Sequence, residues 1–595
     1  MKKTTTLIVF LLLMSSCAQK ENIDNELNIY LRTKPTGINP LNVNNFYQER
    51  LARQIFEGLY EYHYLNDPYD AVPLLADGMP QVSDGGLTYI IKIKRGIKFT
   101  DDPCFVQSNG KGREITASDV IYSLKHFVTY APHNKAYFVY YIKGLMEYRE
   151  RAKDFSRKGG NLDRFIAHHQ VEGLKLIDEY TLGIRLRQVF PCFLEALTVL
   201  GASVVSKEAV SYYGKDIDWH PVGTGPYMLS GFTGDGEKVT MVKNPNYEHG
   251  YYPTDGSKKN QGLGLLDDAG KKLPFLDKIN FYFIGDDKVR RVMFDKGEID
   301  IHTPEEDYFY EYFPDGVNLS EKYKHKGDKA FADSNVEFTG ILFNMSNAII
   351  GKDTDLRKAL ALSFDNTKNL SIFNYISPLS AHWVIPPHVY GYDPSYINPY
   401  SKHDPAMAEG HMKKSLYALS KGKKELVLLL QKTPALKRMG EFFVESASKI
   451  GVNIRLEYAN SVDEIKEILD KGEKPVHMFY MSELSTFVCP EKMLRMFFKG
   501  KQKYKTDYSG YYNHEYEKLY EKVVLLDAGA EKLKLMDMMR DIVVKDAVFI
   551  PLSFPALYRI HHNYVHNYKP HLMSFDRYKY VRIDTKEKKK YLKQK

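Results

Sequence analysis

Hydrophobic positions recur along this chain at two spacings, one typical of helices and one typical of strands. Apolar residues repeat every three or four positions over residues 48–59 and predict an amphipathic helix. Residues 87–93 form a run rich in β-branched side chains directly after two turn-forming glycines, and this run predicts a strand. Thr116, followed three residues later by Asp119, predicts a capping box at the start of another helix.

The second half of the chain alternates between the two spacings. Between residues 405 and 480, predicted helices separate predicted strands at 426–430, 452–456 and 476–480. Strands that alternate with helices indicate α/β lobes built on mixed sheets. The stretch 253–274 is rich in Gly, Lys and Asp, and it predicts an insertion on the surface.

The N-terminal residues are typical of an export signal. Two lysines precede the apolar run 7–14, which would span about 12 Å as a helix, whereas a bilayer core is about 30 Å thick. We therefore expect residues 1–16 to be a signal peptide and not a membrane span. The sequence Met-Ser-Ser-Cys that ends at Cys17 resembles the lipobox of bacterial lipoproteins, which implies an acylated Cys17 and a lipid-anchored tether over residues 17–26.

This interpretation places the protein in the cell envelope and leaves the membrane face open. The polar residues 18–22 resemble surface-export signals of some Gram-negative lipoproteins, although any polar tether has this composition. We expect a lipid anchor in the periplasm, in the inner or the outer membrane, with display on the cell surface as the alternative.

The formal net charge of +8 is concentrated at the two ends of the chain. The leader carries two of these charges and residues 586–595 carry five, so the body of the chain is nearly neutral. A nearly neutral body lacks the electrostatic footprint of a protein that binds nucleic acid. We expect the basic tail to be a solvated end.

Cysteine spacing excludes the common metal and redox motifs. With Cys17 acylated, the remaining cysteines are Cys104, Cys192 and Cys489, and their spacing matches no zinc pattern and no Cys-x-x-Cys motif. One pair could oxidise in an exported protein, but the sequence does not say which. No motif requires a cofactor, and no Ser-His-Asp, Cys-His or paired-acid motif stands at a recognisable spacing.

Two further motifs have a structural explanation. Residues 223–225, Gly-Thr-Gly, lack the neighbours of a phosphate-binding loop, so we expect a tight turn there. His562 and His566 have a spacing that binds zinc only on a helix, whereas the surrounding pattern predicts a strand. We therefore expect these histidines and His561 to serve the structure.

Five sequence blocks, taken in order, resemble one protein family. They are Ile38-Asn39-Pro40 with residues 55–59; the stretch from Pro73 through 84–89 and 94–99 to 115–123; residues 221–227; Asn344 with 355–360 and Asp365; and 511–519 followed by 548–552. The ordered set is similar to the family-5 extracellular solute-binding proteins, the dipeptide- and oligopeptide-binding class of ABC importers. The resemblance covers nearly all of the mature chain.

The resemblance implies an α/β, type II periplasmic-binding-protein fold with two lobes plus a smaller extra domain and mixed β-sheets flanked by helices. In this fold lobe I is assembled from three pieces of chain, and the lobes close over the ligand. The implied boundaries are 27–65 (lobe I, first piece), 66–216 (domain II), 217–337 (lobe I, second piece), 338–555 (lobe III), 556–585 (lobe I, return piece) and 586–595 (basic tail).

The function implied by the resemblance is that of a monomeric, lipid-anchored solute-binding protein, not an enzyme. It would capture oligopeptides or dipeptides and deliver them to ABC permease subunits, without a cofactor or nucleic acid. The alternatives are another cargo on the same fold (an oligosaccharide, an opine-like compound or a metal chelate) and a non-transport sensor or hydrolase. Sugar sites use Trp platforms, and a content of two Trp argues mildly against a sugar.

Peptide-binding members of the family carry an acid three residues after an aromatic, and this acid pairs with the α-amine of the ligand. Here Tyr480 matches the aromatic residue and Glu483 matches the acid, with Ser482 between them. A carboxylate that faces an ammonium forms a strong charge-assisted pair. Glu483 stands where the family has Asp, so it reaches one methylene further.

Further ligand contacts are implied by alignment with the same family. Tyr137 matches a tyrosine near the ligand, and Asn45 and Phe46 align with a loop that contacts the ligand backbone. Trp383 is a candidate for the wall of the pocket, with a buried structural role as the alternative.

Overall fold

The computed structural model describes residues 25–43, 45–131, 141–233, 236–305, 308–373, 379–420, 425–472, 475–500, 508–571, 573, 575 and 577–593. Cys17 and Tyr137 lie outside these residues, so the lipid anchor and the Tyr137 contact stay predictions. Within the described ranges, no helix combines the length and the apolar character needed to cross a bilayer.

The strands vary from two to seven residues in length and are distributed along the whole chain. They are β1 (Glu26–Leu31), β2 (Tyr60–Tyr62), β3 (Ala71–Pro73), β4 (Gln81–Ser83), β5 (Thr88–Lys92), β6 (Leu174–Asp178), β7 (Thr181–Arg185), β8 (Tyr227–Phe232), β9 (Lys238–Lys243), β10 (Lys278–Phe283), β11 (Ile301–His302), β12 (Lys329–Ser334), β13 (Glu337–Phe343), β14 (Leu379–Ser380), β15 (Leu426–Gln431), β16 (Ile454–Ala459), β17 (Met478–Leu484), β18 (Phe549–Phe554), β19 (Ala556–His561), β20 (Val565–His566) and β21 (Arg582–Ile583).

The helices lie between and after these strands. They are α1 (Phe46–Ile55), α2 (Ala117–Tyr130), α3 (Leu145–Arg157), α4 (Leu162–His168), α5 (Phe193–Ala196), α6 (Lys207–Tyr213), α7 (Lys258–Gly262), α8 (Asp287–Asp295), α9 (Phe309–Tyr312), α10 (Glu321–Lys324), α11 (Thr354–Ser363), α12 (Asn366–Phe373), α13 (Pro405–Met412), α14 (Leu416–Leu419), α15 (Pro434–Lys449), α16 (Val462–Lys471), α17 (Pro490–Leu494), α18 (His514–Val523), α19 (Ala530–Lys545) and α20 (Thr585–Lys593).

Local sequence signals locate the start of α2 correctly and place the end of α1 too far along the chain. The capping box is present, because the Thr116 amide donates to Asp119 Oδ2 over 2.8 Å at the start of α2. The helix predicted over residues 48–59 is α1, which ends at Ile55. The Gly225 amide donates to the Ile55 carbonyl over 2.8 Å, so the Gly-Thr-Gly segment forms a turn against the end of α1.

The stretch predicted to be a surface insertion is anchored to the protein by buried residues. Asn260, Leu265 and Asp268 are all buried. Asp268 accepts from Arg582 over 2.8 Å and from Asn567 over 2.6 Å. The rest of the segment 253–274 is mostly exposed, as predicted for a surface insertion, and Asp268 anchors it to residues near the C-terminus.

A four-stranded sheet with the order β1-β10-β9-β8 forms the first core. β1 is parallel to β10, and the other neighbours are antiparallel. Leu27, Ile29 and Leu31 alternate along β1 and are buried in one cluster with Leu51 and Ile55 of α1. This period-two pattern fixes which face of the sheet carries the helix.

An antiparallel sheet with the order β4-β5-β7-β6 lies beside this core. Ile91 of β5 and Leu182 of β7 are fully buried together with Val120 of α2 and Leu145 of α3. The helices α2 and α3 therefore cover one face of this small sheet.

The third core is a six-stranded mixed sheet with the order β14-β18-β13-β17-β15-β16. β15 lies inside this sheet, and its run Leu426–Leu430 is buried throughout, as expected for a strand that is covered on both faces. Helices α11 and α15 pack on one face, and helices α18 and α19 pack on the other.

Two backbone crossings join the six-stranded sheet to the rest of the protein. β12 continues into β13 through residues 335–336, and β18 continues into β19 through Pro555. The crossings are adjacent, because the Asn335 amide donates to the Pro555 carbonyl over 2.8 Å. We name residues 337–554 the six-stranded body and the remaining described chain the flanking body. Two short adjacent crossings are typical of a hinge between bodies.

The basic tail is a docked helix and not a solvated end. In α20, Lys588 and Tyr591 are buried. The Lys588 Nζ lies 3.0 Å from Asp300 Oδ1, and the Tyr591 hydroxyl donates to Asp328 Oδ2 over 3.3 Å. The expectation of a solvated tail is wrong for residues 585–593, because the fully buried Asp300 carboxylate requires a counter-charge.

This ion pair gives a test of the docked tail. Lys588→Ala leaves the Asp300 carboxylate buried without its cation, so we expect the free energy of unfolding to fall by about 3 kcal/mol in urea denaturation. Lys589→Ala removes an exposed lysine of the same helix and should change it by less than about 0.5 kcal/mol. Equal effects of the two substitutions would contradict the docked helix.

Candidate functional site

One strand of the six-stranded sheet extends beyond its parallel neighbour. β15 pairs with β17 at Met478 and Phe479, whereas β17 continues to Leu484. β13 pairs with β17 along its whole length on the other side. Among the described strands, residues 480–484 therefore have a partner on one side only. A strand edge of this kind presents N–H and C=O groups that an extended peptide can pair with.

The three predicted site residues of this segment do not lie on one face of the sheet. Side chains alternate along a strand, so Glu483 shares a face with Met481, whereas Tyr480 and Ser482 share the opposite face. Tyr480 is buried in the cluster beneath helices α11 and α15, and this burial raises its pKa far above the ordinary value. The aromatic residue and the acid of the sequence motif therefore lie on opposite faces of the sheet.

A second carboxylate, which the sequence motif does not include, lies on the face of Tyr480. Glu337 of β13 accepts a hydrogen bond from the Ser482 hydroxyl and a longer one, 3.4 Å, from the Asn335 amide group. Burial raises the pKa of Glu337 despite these hydrogen bonds, and the charge of Glu483 adds to the increase. Ser482 thus positions Glu337 and not Glu483.

Glu483 already has a cationic neighbour. Its Oε1 lies 3.9 Å from Nζ of Lys492 in α17, and 27% of its side chain is exposed. Burial lowers the pKa of Lys492, and the charge of Glu483 opposes this decrease. The Glu483 carboxylate is thus partly exposed and at the same time attracted to the ammonium group of Lys492.

The face that carries Glu483 is turned towards the flanking body. Met481 and Phe479 of β17 belong to the same buried cluster as Tyr62 and Tyr69 of the flanking body. Glu483, on this face, therefore lies on the side of the sheet where the two bodies meet.

An ion triad joins the two bodies near the crossings. His388 Nε2 lies 2.7 Å from Asp333 Oδ1, and its Nδ1 lies 2.9 Å from Asp67 Oδ1. The ring of Tyr69 stacks on His388 with 4.7 Å between centroids. Burial alone would lower the pKa of His388, but the hydrogen bonds and charges of Asp333 and Asp67 outweigh it and raise the pKa to about 9.

A second contact lies at the segment that leads from β17 into α17. The Val488 amide donates to the Tyr62 hydroxyl over 2.8 Å, and the rings of Phe190 and Phe487 meet edge to face at 6.1 Å. Next to them, Cys192 of the flanking body and Cys489 of the six-stranded body form a disulfide. The sequence could not choose this pair.

Acidic groups from both bodies meet beside the disulfide. Burial raises the pKa of Glu195 to about 7, and the charge of Glu491 adds to the increase. Glu491 is buried and ion-paired with Lys532, which neutralises one of the two carboxylates. This contact therefore contains more acid than base when Glu195 is ionised.

The other predicted site residues have structural contacts. Asn45 caps α1, because its Oδ1 accepts from the amides of Tyr47 and Gln48, both over 3.0 Å. Phe46 packs on Phe575 with 5.1 Å between ring centroids. These contacts lie in the flanking body, and a role in ligand binding stays a prediction for both residues.

Trp383 is packed in the core of the six-stranded body. Its ring lies 5.8 Å from the rings of Phe497 and Phe549, measured between centroids, and 7% of the residue is exposed. It also borders a small cavity of about 30 Å³. These contacts favour the structural role over the pocket wall.

Two other features lie away from the edge of β17. Nδ1 of His562 lies 3.1 Å from Oδ1 of Asp328, and the imidazole ring stacks on Phe294. These contacts agree with a structural histidine. A groove of about 580 Å³ is bordered by residues 100–102, Trp219 and β8 in the flanking body. This groove contains none of the predicted site residues.

Two α/β bodies joined by adjacent crossings, with a free strand edge where they meet, define a type II periplasmic binding protein. Residues 70–505 match the model of the bacterial extracellular solute-binding proteins, family 5. The chain belongs to this family, whose members are substrate-binding proteins of transport, so it is a solute-binding protein and not an enzyme.

Individual relatives agree with this assignment over nearly the full length. The glutathione-binding protein GsiB of Salmonella choleraesuis is 24% identical over 532 residues, which is 88% of each chain. HbpA2 from Haemophilus parasuis superposes with a TM-score of 0.73 at 18% identity, over 94% of this chain and all of that one. The ABC transporter-associated binding protein DppA from Helicobacter pylori, in complex with the peptide STSA, gives 0.64 at 18% identity, over 94% and 98%.

The ion triad predicts a pH-dependent stability. Because its pKa in the folded protein is raised, the stabilisation by charged His388 is complete below about pH 6.5 and disappears as the pH rises through about 9. The advantage of the wild type over His388→Gln in thermal unfolding should therefore amount to at most about 3 kcal/mol at pH 6 and vanish by about pH 10.

His325→Gln is the matched control, because His325 is an exposed histidine outside this contact. Its stability in thermal unfolding should equal that of the wild type at every pH. A constant difference between wild type and His388→Gln from pH 6 to pH 10 would show that the charge of His388 does not stabilise the contact between the bodies.

Proposed function

We propose that this chain is a lipid-anchored receptor that captures oligopeptides or dipeptides between its two bodies and delivers them to ABC permease subunits. The observation that carries the proposal is the one-sided edge of β17 at residues 480–484, with Glu483 on the face turned towards the flanking body. An extended peptide can add to this edge through main-chain hydrogen bonds, and alternate side chains then supply specificity.

The charges beside the edge support recognition of a peptide terminus. A ligand α-ammonium at Glu483 would share the carboxylate with Lys492, whose Nζ is 3.9 Å away. The charge of Lys492 beside this carboxylate also suits a carbonyl or carboxylate of the same ligand. Opposite charges within one short segment match a zwitterionic ligand and fix its direction along the strand.

Peptides are favoured over sugars by the positions of the two tryptophans. Trp383 is packed between aromatic rings of the core, so it offers no platform to a sugar ring, and Trp219 borders the groove that lies away from the edge of β17. A relative named for glutathione and a structure solved with the peptide STSA make short peptides, glutathione among them, the first ligands to test. Native mass spectrometry of the protein from its own host would identify cargo that co-purifies.

The amine anchor is tested by isothermal titration calorimetry. Glu483→Gln removes the charge and keeps the shape, so the affinity for free-amine tripeptides should fall at least about tenfold, which corresponds to about 1.4 kcal/mol. The affinity for the same peptides with an acetylated N-terminus should change little. Equal losses for both forms would rule out Glu483 as the amine anchor.

Glu337→Gln is the matched control, because it makes the same change one strand away on the opposite face. We expect it to leave the preference for a free amine unchanged. If Glu337→Gln abolishes this preference and Glu483→Gln does not, the anchor is Glu337, and the assignment of Glu483 is wrong.

The lipid anchor has its own test. In cells fed labelled palmitate, the wild-type protein and Cys104→Ser should both carry label, and Cys17→Ser should carry none, because the acylated position is then absent. Label that persists in Cys17→Ser would overturn the assignment of the lipidation site. The outcome is independent of the identity of the cargo.

A further inference from the structure

The Cys192–Cys489 disulfide connects the two bodies. Cys192 lies directly before α5 and packs in the cluster of the small antiparallel sheet, and Cys489 lies directly before α17. Their Cα atoms are 5.8 Å apart, in the range that a disulfide requires, although 297 positions separate them in sequence. The pair thus links segments that the chain itself connects only through the crossings.

Without this bond, only the crossings at residues 335–336 and Pro555 join the two bodies covalently. A disulfide tolerates Cα separations of at most about 7 Å, so any movement that draws Cys192 away from Cys489 must break it. The bond is therefore a third covalent link, and it restricts the rotation that the crossings otherwise permit.

The third cysteine cannot easily exchange with this pair. Burial raises the pKa of the Cys104 thiol, and the neighbouring Asp102 adds to the increase, so Cys104 stays protonated and unreactive. Cys192 and Cys489 are themselves 6% and 1% exposed. The connectivity is therefore fixed by geometry, and a reductant reaches the bond through local opening of this contact.

The surroundings also accommodate the reduced pair. Glu491 Oε2 lies 3.0 Å from Sγ of Cys192 and 3.2 Å from Sγ of Cys489. After reduction this carboxylate can accept a hydrogen bond from either thiol, while Lys532 remains paired with its other oxygen. The reduced state is thus a satisfied arrangement and does not leave buried thiols without partners.

We propose that the Cys192–Cys489 disulfide is a redox latch that holds the two bodies in contact, and that its reduction to two thiols allows them to separate. The proposal follows from the position of the bond across the contact and does not depend on which solute is bound. In an oxidising envelope the latch would favour retention of a captured solute, and a dithiol reductant would permit exchange.

The chemistry is an ordinary thiol–disulfide exchange. For opening, a dithiol reductant transfers two electrons and two protons: its first thiolate attacks one sulfur of the Cys192–Cys489 bond, and its second thiol displaces that sulfur from the mixed disulfide. The products are two cysteine thiols in the protein and a disulfide in the reductant. Closing reverses the exchange with a disulfide oxidant, which leaves as two thiols.

The test compares the oxidised and the reduced full mature chain without any peptide. Small-angle X-ray scattering should give a larger radius of gyration after treatment with dithiothreitol. Hydrogen exchange in residues 190–197 and 485–498 should become at least about tenfold faster, since both segments form the contact beside the bond. Alkylation followed by mass spectrometry should find Cys192 joined to Cys489 in the oxidised sample.

Variants separate the latch from a general effect of the reductant. Cys192→Ser should resemble the reduced wild type with or without dithiothreitol, and Cys104→Ser should respond as the wild type does. The wild-type comparison needs no substitution, so it stands even if Cys192→Ser fails to fold. Unchanged scattering and exchange on reduction, or free Cys192 and Cys489 in the oxidised sample, would overturn the latch, and neither result bears on peptide binding.

Discussion

The relative position of the two bodies depends on two adjacent strand crossings, at residues 335–336 and Pro555. Because the crossings are short and hydrogen-bonded to each other, they restrict the six-stranded body to rotation about a narrow line of backbone. Two contacts across the boundary, the His388 triad and the Cys192–Cys489 disulfide, then limit how far the bodies can separate.

Charge at the boundary is arranged so that the contact between the bodies is favourable only when partners meet. His388 of the six-stranded body would be a buried cation without Asp67 and Asp333 of the flanking body. Removal of one partner from such a group costs far more than the group contributes, so these residues define how the bodies meet. The same rule applies deeper in the flanking body. Burial would raise the pKa of Glu57, but His249, Lys579 and Arg577 hold it at about 2.

The elements that the sequence predicts well are those with local causes. The strand at 426–430 is an unbroken apolar run, and the start of α2 is set by two side chains three residues apart. The sequence does not locate the end of α1, because the helical spacing of apolar residues continues past Ile55. The Ile55 carbonyl accepts its hydrogen bond from the amide of Gly225, which is far away in the sequence. The buried tail was missed for the same reason, since Lys588 is paired with an acid far away in the sequence.

The candidate site shows the same division between features with local causes and features with partners far away in the sequence. A family pattern predicts Glu483 as a site residue. The alternation of side chains along β17 places Tyr480 and Ser482 on the other face, and a linear motif does not state which face meets the flanking body. Lys492 and Glu337 come from a neighbouring helix and strand and carry no local signal. The disulfide joins cysteines 297 positions apart, a choice that only the folded chain can make.

The docked tail has a mechanical consequence. Asp300 accepts from the Asn28 amide at the start of β1 and pairs with Lys588 of α20, so one buried carboxylate ties together the first strand and the last helix. Tension that enters through residues preceding β1 is thus shared between a sheet strand and a helix of the flanking body. The six-stranded body carries none of this load, because its own links to the neighbour, the crossings and the disulfide, lie elsewhere.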